Sequence, residues 1–210
     1  MLRRALLVCG ILSSLLYIVT DLSAGSRYDG YSFFSQAVSE LAAVGAPTRP
    51  VVVPLFLAYG VLALAFGVGV LRDGADEQNR SLRLTGSLLI VYAAVGFTGF
   101  TLFPMQQRGV ASLESDLPHI VVTGVVVLAL LLAMVFGAFA LARTFRVYTF
   151  ATVFIVVVFG ALAIPYGARL AEGQTTPGFG IVERVDIYAF LIWAAVLAAA
   201  LLRNPNRGAM

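Results

Sequence analysis

Apolar residues occur in six long runs along this chain, and polar residues are largely confined to the stretches between those runs. A helix needs roughly 20 predominantly apolar residues to cross a bilayer. The runs reach about this length, and strong alternation of the kind found in barrel strands is absent. The pattern predicts six membrane-spanning helices, at about 5–22, 50–71, 82–103, 119–142, 147–166 and 181–202.

The composition agrees with a polytopic membrane protein. The 210 residues are 60% hydrophobic and only 12% charged, whereas a soluble domain carries about 25% charged residues. Because the connections are short, we expect one all-α domain over residues 1–210, with the six helices in one bundle. The net charge of +3 comes from arginines beside the spans. Such residues set topology, so we expect no nucleic-acid partner.

All 14 basic residues are arginine. If the N-terminus is cytoplasmic, nine of them lie on the inner side: Arg3, Arg4, Arg72, Arg80, Arg83, Arg143, Arg146, Arg203 and Arg207. The other five lie outside: Arg27, Arg49, Arg108, Arg169 and Arg184. An excess of basic residues marks the cytoplasmic side. We therefore expect a cell (plasma) membrane protein with both termini in the cytoplasm.

The stretch "SFFSQAVSELAAVGAP", residues 32–47, lies between the first two predicted spans. On a helical wheel its apolar residues share one sector and its polar residues the opposite one. The pattern predicts an amphipathic helix at about 33–44, lying in the membrane interface and ended by Gly45 and Pro47. Two roles remain open. The helix carries the chain along the membrane surface, or it roofs the bundle and points Ser39 and Glu40 into a cavity.

One face of the first span carries small and polar residues. Gly10, Ser14, Tyr17 and Asp21 follow one another at spacings of four, three and four residues, so they share one side of the helix. Gly10 and Ser14 are typical of close helix packing. Tyr17 and Asp21 suit the wall of a polar pocket.

Further candidate groups are expected at the same membrane depth, the outer ends of the spans. We predict that Asp21, Glu40, His119 and Glu183 handle protons, because a histidine near carboxylates is typical of acid–base chemistry near neutral pH. Arg108 and Arg184 are predicted to orient an anionic part of a substrate. Tyr17, Ser39 and Asp186 complete the predicted binding site. Helix-dipole stabilisation is an alternative role for Glu183 and Asp186.

Metal and cofactor chemistry is limited by the residue counts. The chain has one histidine and one cysteine. These counts exclude a haem held by two histidines, a three-histidine zinc site and a cysteine cluster. A site with one histidine completed by carboxylates stays open. The favoured expectation is neither a metal nor a cofactor.

Several short motifs resemble a family of bacterial and archaeal six-span membrane proteins known only as a domain of unknown function. They are "SQAVSELAAVGAP" after the first span, "LFP" at the end of the third, His119 at the start of the fourth, and "GIVER" at the start of the sixth. The resemblance covers most of the chain. It implies a six-span fold and no particular activity.

The favoured hypothesis is a polar pocket at the outer membrane interface. The pocket binds a lipid or an apolar small molecule, with metal-free acid–base catalysis as an added activity. A non-catalytic accessory subunit is the first alternative, and a small-solute transporter or channel is the second. The expected partners are membrane lipids and the bound molecule. A protein partner or a homo-oligomer is also consistent with the sequence.

Overall fold

The protein is described by a computed structural model that covers residues 1–108, 110 and 112–203. Arg207, which was assigned to the cytoplasmic side, lies outside the described residues. The described part contains six α-helices: α1 (Leu2–Gly25), α2 (Arg49–Asp76), α3 (Arg80–Leu102), α4 (Leu113–Ala138), α5 (Arg143–Ala171) and α6 (Phe179–Leu202). Each is long and apolar enough to cross a membrane. The all-α, six-helix membrane fold is therefore confirmed.

Most of the helices extend past the apolar runs that predicted them. The largest difference is in α4, which begins at Leu113 instead of about residue 119. The side chain of Ser112 caps its N-terminus by accepting a hydrogen bond from the Ser115 backbone N–H. The hydropathy pattern missed this first part because it marks only the residues that suit the hydrocarbon core. His119 consequently lies in the second turn of α4.

The helices form a ring in chain order. Each helix packs against the next one, and α6 returns to pack against α1. Glycines allow α2 and α3 to approach closely, since a Cβ on Gly67 would lie 2.9 Å from the Ile90 backbone nitrogen. Ser14 of α1 donates a hydrogen bond to the Leu191 carbonyl of α6 at 2.9 Å, which joins the two ends of the ring.

Side chains fill one end of the bundle, which we call the packed end. Trp193 is completely buried there, and its indole N–H donates to the Thr149 hydroxyl at 3.0 Å. Its ring lies against Phe145 and Phe190. At the same end, Arg3 of α1 forms an ion pair with the buried Asp73 of α2.

The opposite end is covered by the connector, defined here as residues 26–48 between α1 and α2. It contains a 3-10 helix of five residues, η1 (Val38–Ala42), in place of the amphipathic helix predicted at about 33–44. Groups on both predicted faces are buried, including the apolar Val38 and Leu41 and the acidic Glu40. The connector is therefore tucked into the bundle, unlike a helix that keeps one face in water.

Tertiary hydrogen bonds explain why no α-helix forms in the connector. An α-helix would use the Phe33 carbonyl to bind the Ala37 N–H. Instead, the Phe33 carbonyl accepts from Arg184 at 3.2 Å, and the Ala37 N–H donates to Glu40 at 2.9 Å. The Val38 N–H donates to Glu183. Side chains of α6, together with Glu40 of the connector itself, thus take the backbone groups that a helix would use.

Candidate functional site

A cavity of about 270 Å³ lies beneath the connector, at what we call the cavity end of the bundle. Ser39 and Ala42 of η1 line it from above, and α1, α2, α3, α4 and α6 supply most of the wall. The wall is mainly apolar. Among the described residues, its titratable side chains belong to seven residues: Tyr17, Arg49, Tyr59, Tyr92, His119, Glu183 and Asp186.

Two carboxyl groups reach the cavity from the first turns of α6. Glu183 and Asp186 are three residues apart, so they project from neighbouring parts of one face. One oxygen of Glu183 accepts the Val38 backbone N–H. Oδ1 of Asp186 is buried and has no hydrogen-bond partner among the described residues. A buried oxygen without a donor is costly, so Asp186 is the group most in need of a partner.

His119 lies on the α4 side of the cavity. Its Nδ1 is 3.0 Å from the Phe103 carbonyl oxygen. Because a carbonyl only accepts, Nδ1 carries the hydrogen in this bond, and Nε2 of the neutral ring is an acceptor. The ring also lies against Phe100, with 5.0 Å between the ring centroids.

Tyrosine side chains provide most of the remaining polar surface. The hydroxyl groups of Tyr59 and Tyr92 are 2.6 Å apart and join α2 to α3. Tyr17 stacks on Phe56, with 4.7 Å between centroids. These phenol rings give the cavity aromatic walls with hydroxyl groups at their edges.

Outside the cavity wall, Asp21 of α1 and Arg184 of α6 form a buried ion pair. Two guanidinium nitrogens of Arg184 donate to the two Asp21 carboxylate oxygens, at 2.8 and 2.9 Å. The hydroxyl of Tyr188 also donates to Asp21. The Asp21 side chain is 0% exposed and that of Arg184 is 8% exposed. Charges so buried persist only when they are paired and hydrogen-bonded.

Arg184 also holds the connector. Its guanidinium donates to the carbonyls of Phe33 and Gln36, at 3.2 and 3.0 Å, and to the Tyr31 hydroxyl at 2.6 Å. Burial raises the pKa of Tyr31. Its phenol therefore keeps its hydrogen, which it donates to the Ala37 carbonyl at 2.7 Å. One arginine thus joins α1, α6 and the connector.

Glu40 and Arg108 form a second ion pair, between the connector and the α3–α4 connection. Arg108 donates to the two Glu40 oxygens at 2.8 and 3.2 Å. It also donates to the Gln174 carbonyl at 2.7 Å and to the Thr176 hydroxyl at 2.9 Å. Arg108 therefore joins three connections above the cavity: the connector, the α3–α4 connection and the α5–α6 connection.

The structure divides the nine residues predicted for the site into two groups. Five of them line the cavity: Tyr17, Ser39, His119, Glu183 and Asp186. The other four form the two ion pairs and are absent from the cavity lining: Asp21, Glu40, Arg108 and Arg184. Their predicted roles in proton transfer and anion binding have no support from this geometry, because their charged groups already bind one another.

Sequence reasoning missed three titratable side chains on the cavity wall, those of Arg49, Tyr59 and Tyr92. The two tyrosines interrupt otherwise apolar spans, and that interruption was an available signal. Arg49 was counted only as a marker of topology. Arg49 is the first residue of α2, and its guanidinium donates to the Ala42 carbonyl of η1. In the described part of the chain, no three His, Cys, Asp or Glu side chains come together as metal ligands would.

Comparisons with known proteins give a family and no closer relative. No curated protein and no solved structure matches the chain. Residues 11–200 match the family described as "Protein of unknown function (DUF998)". This match covers all six helices apart from the ends of α1 and α6, and it agrees with the resemblance found in the motifs. The chain is an integral membrane protein that belongs to the DUF998 family.

Proposed function

We propose that this protein binds a lipid-like or apolar small molecule in the cavity beneath the connector. The observation that carries the proposal is the cavity itself, with an apolar wall and a few polar groups. Small-molecule sites typically have this composition, because apolar surface supplies affinity and a few polar groups fix orientation. Asp186 lines the cavity and has a buried oxygen without a donor in the described part of the chain, so it is one group that a ligand could satisfy.

The volume limits what the cavity holds. Pockets for drug-sized ligands are about 300–1,000 Å³, and this one is about 270 Å³. It suits a compact molecule or the head region of one lipid. The chains of a larger lipid would extend out of the bundle.

An apolar ligand can reach such a cavity from the side, between α4 and α5. Thr123 of α4 lines the cavity and is also exposed at the surface of the bundle. On α5, every residue from 161 to 169 is exposed or half-buried, and Ile164 is 75% exposed. The exposure of this half of α5 supports an opening of the cavity toward the lipid between α4 and α5.

Acid–base catalysis is the finer part of the proposal. Isomerisation, cyclisation or hydrolysis without a metal needs a proton donor and acceptor on the cavity wall. His119 and Glu183 lie on that wall and belong to the predicted catalytic set. Asp21 and Glu40 complete that set but are held in ion pairs, so we assign them to positioning the connector. We assign Asp186, which lines the cavity, to the proton-handling set in their place.

The two alternative functions have less support. An accessory subunit would use its polar end groups to bind a partner, whereas four of these groups pair within the chain. A transporter or channel needs a path through the bundle, and side chains fill the packed end. For orientation, we propose that the cavity end faces outward from the plasma membrane and the termini face the cytoplasm, from the arginine distribution.

Native mass spectrometry of the purified protein tests this function, followed by identification of any retained molecule. Gly96 lines the cavity, and an added Cβ there would meet side chains only at 3.8 Å or more. Gly96→Leu should therefore fill the cavity and expel the ligand. Gly124→Leu is the matched control, because a Cβ on Gly124 has no neighbour within 4 Å.

The expected result is one specific molecule on the wild type and on Gly124→Leu, and its loss from Gly96→Leu. Bulk lipid alone, in equal amounts on all three folded proteins, would overturn the proposal.

A further inference from the structure

We infer that the molecule bound in this cavity has an amine or ammonium head group attached to a compact apolar or aromatic body. This inference rests on the proposed binding function and adds the chemical class of the ligand. It follows from which charged groups of the cavity end are already paired and which are left on the wall.

The two arginines expected to bind an anion are occupied. Arg184 directs its guanidinium to Asp21 and to connector carbonyls, and Arg108 directs its guanidinium to Glu40. Neither lines the cavity. The basic side chain that does line it is that of Arg49, the first residue of α2, and its guanidinium donates to the Ala42 carbonyl of η1.

Several hydrogen-bond acceptors remain on the cavity wall. Asp186 has a buried oxygen without a donor among the described residues. Glu183 uses one oxygen for the Val38 N–H, which leaves its second oxygen for a ligand. His119 presents Nε2 as an acceptor, because Nδ1–H is held by a carbonyl. A head group with several N–H donors would satisfy these groups together.

The aromatic wall also favours a cation. Tyr17, Phe56, Tyr59 and Tyr92 line the cavity together with Phe97 and Phe100. The face of an aromatic ring attracts an ammonium group placed within about 6 Å of its centroid. Carboxyl groups and aromatic rings line the same cavity, and both groups attract a cation.

An organic cation fits these groups better than a metal ion does. A bound Zn²⁺ takes at least three protein ligands from histidine, cysteine or carboxylate side chains. Among the described residues, no group of three such side chains is placed to hold a metal. An ammonium group needs only acceptors and ring faces, and the cavity has both.

The test uses three probes with one aromatic body and different head groups: 2-phenylethylamine, 2-phenylethanol and phenylacetate. Their binding to the purified full-length protein is measured by isothermal titration calorimetry at pH 7. The amine should bind at least about tenfold more tightly than the alcohol, a factor within the range of one hydrogen bond to a charged group. Phenylacetate should bind most weakly.

Substitutions connect that preference to the wall. In Asp186→Asn the preference of amine over alcohol should fall about tenfold, while binding of the alcohol persists and shows that the cavity is intact. Glu183→Gln should reduce the preference less, because that side chain already has a backbone partner. Glu172→Gln is the control, since Glu172 is exposed and lies outside the cavity lining; it should bind as the wild type does.

Equal or tighter binding of the alcohol or the acid overturns the inference about charge and leaves the binding function standing. A preference that survives in Asp186→Asn overturns the role of that carboxyl group. If none of the three probes binds, the inference fails, and the retained molecule in the Gly96→Leu comparison still decides the proposed function separately.

Discussion

At the packed end of the bundle the space between the helices is filled by side chains around Trp193, whereas at the cavity end it is left open beneath the connector. Aromatic and aliphatic contacts hold the first region. Two ion pairs and their hydrogen bonds hold the second, by tying the connections together above the helices. The helices around the cavity are therefore held together by contacts outside it. Two arginine–carboxylate pairs provide these contacts here.

The largest effect is expected from breaking the buried pair at the cavity end. Asp21→Ala leaves Arg184 buried without its carboxylate, and loss of one partner of a buried pair costs about 3–5 kcal/mol. Thermal or denaturant unfolding in detergent measures this change. Arg169→Ala is the control, because Arg169 is exposed in the last turn of α5 and should stay near wild type. Equal stability of Asp21→Ala and wild type would contradict a supporting role for the pair.

A double variant refines that prediction. Asp21→Asn combined with Arg184→Met removes both charges, so no unpaired charge stays buried. We expect it to be more stable than either single variant, because much of the stability lost in a single variant comes from the charged side chain left buried without its partner. Strictly additive losses would show that the two side chains act independently.

Aromatic truncation compares the two ends directly. Trp193→Ala at the packed end should cost about 3–5 kcal/mol, as expected for a large buried side chain. Phe100→Ala at the cavity wall should cost clearly less, since its ring already borders open space. The same unfolding assay measures both variants. A larger loss at Phe100 would mean that the cavity end is stabilised by packing after all.

Weakening the Glu40–Arg108 ion pair above the cavity should have a moderate and local effect on stability. Glu40→Gln weakens the ion pair with Arg108, which is 22% exposed, at a cost of about 1–3 kcal/mol. Hydrogen exchange should increase in residues 35–46 and 174–176, and it should stay unchanged around Trp193. An equal increase in hydrogen exchange along the whole chain would contradict a local effect of this ion pair.

The smallest effect on stability is expected at the open side of the cavity. Thr123→Phe places a ring where α4 lines the cavity and faces lipid. Its stability should stay within about 0.5 kcal/mol of wild type, as for other surface positions. Release of the bound molecule should be slower, which exchange into empty nanodiscs can follow by mass spectrometry. Unchanged release would indicate that the ligand leaves by another route.

Local patterns explain why the helices could be predicted and why the connector could not. Run length and hydropathy are properties of consecutive residues, so they located all six helices to within a few residues at most ends. In the connector, the wheel pattern was also local, but the backbone groups of Phe33, Ala37 and Val38 bind partners from Arg184, Glu40 and Glu183. Two of those partners belong to α6, far along the chain, and no local pattern reveals them.

By itself the sequence determined that this is an all-helical membrane protein with six spans, and it predicted that the candidate site residues lie near one end of those spans. The tertiary structure decided how those side chains are used. It pairs Asp21 with Arg184 and Glu40 with Arg108, and it leaves Glu183 and Asp186 on the cavity wall. Depth along a span follows from local composition. Lateral distance between side chains depends on how the ring of helices closes and how the connections pack above it.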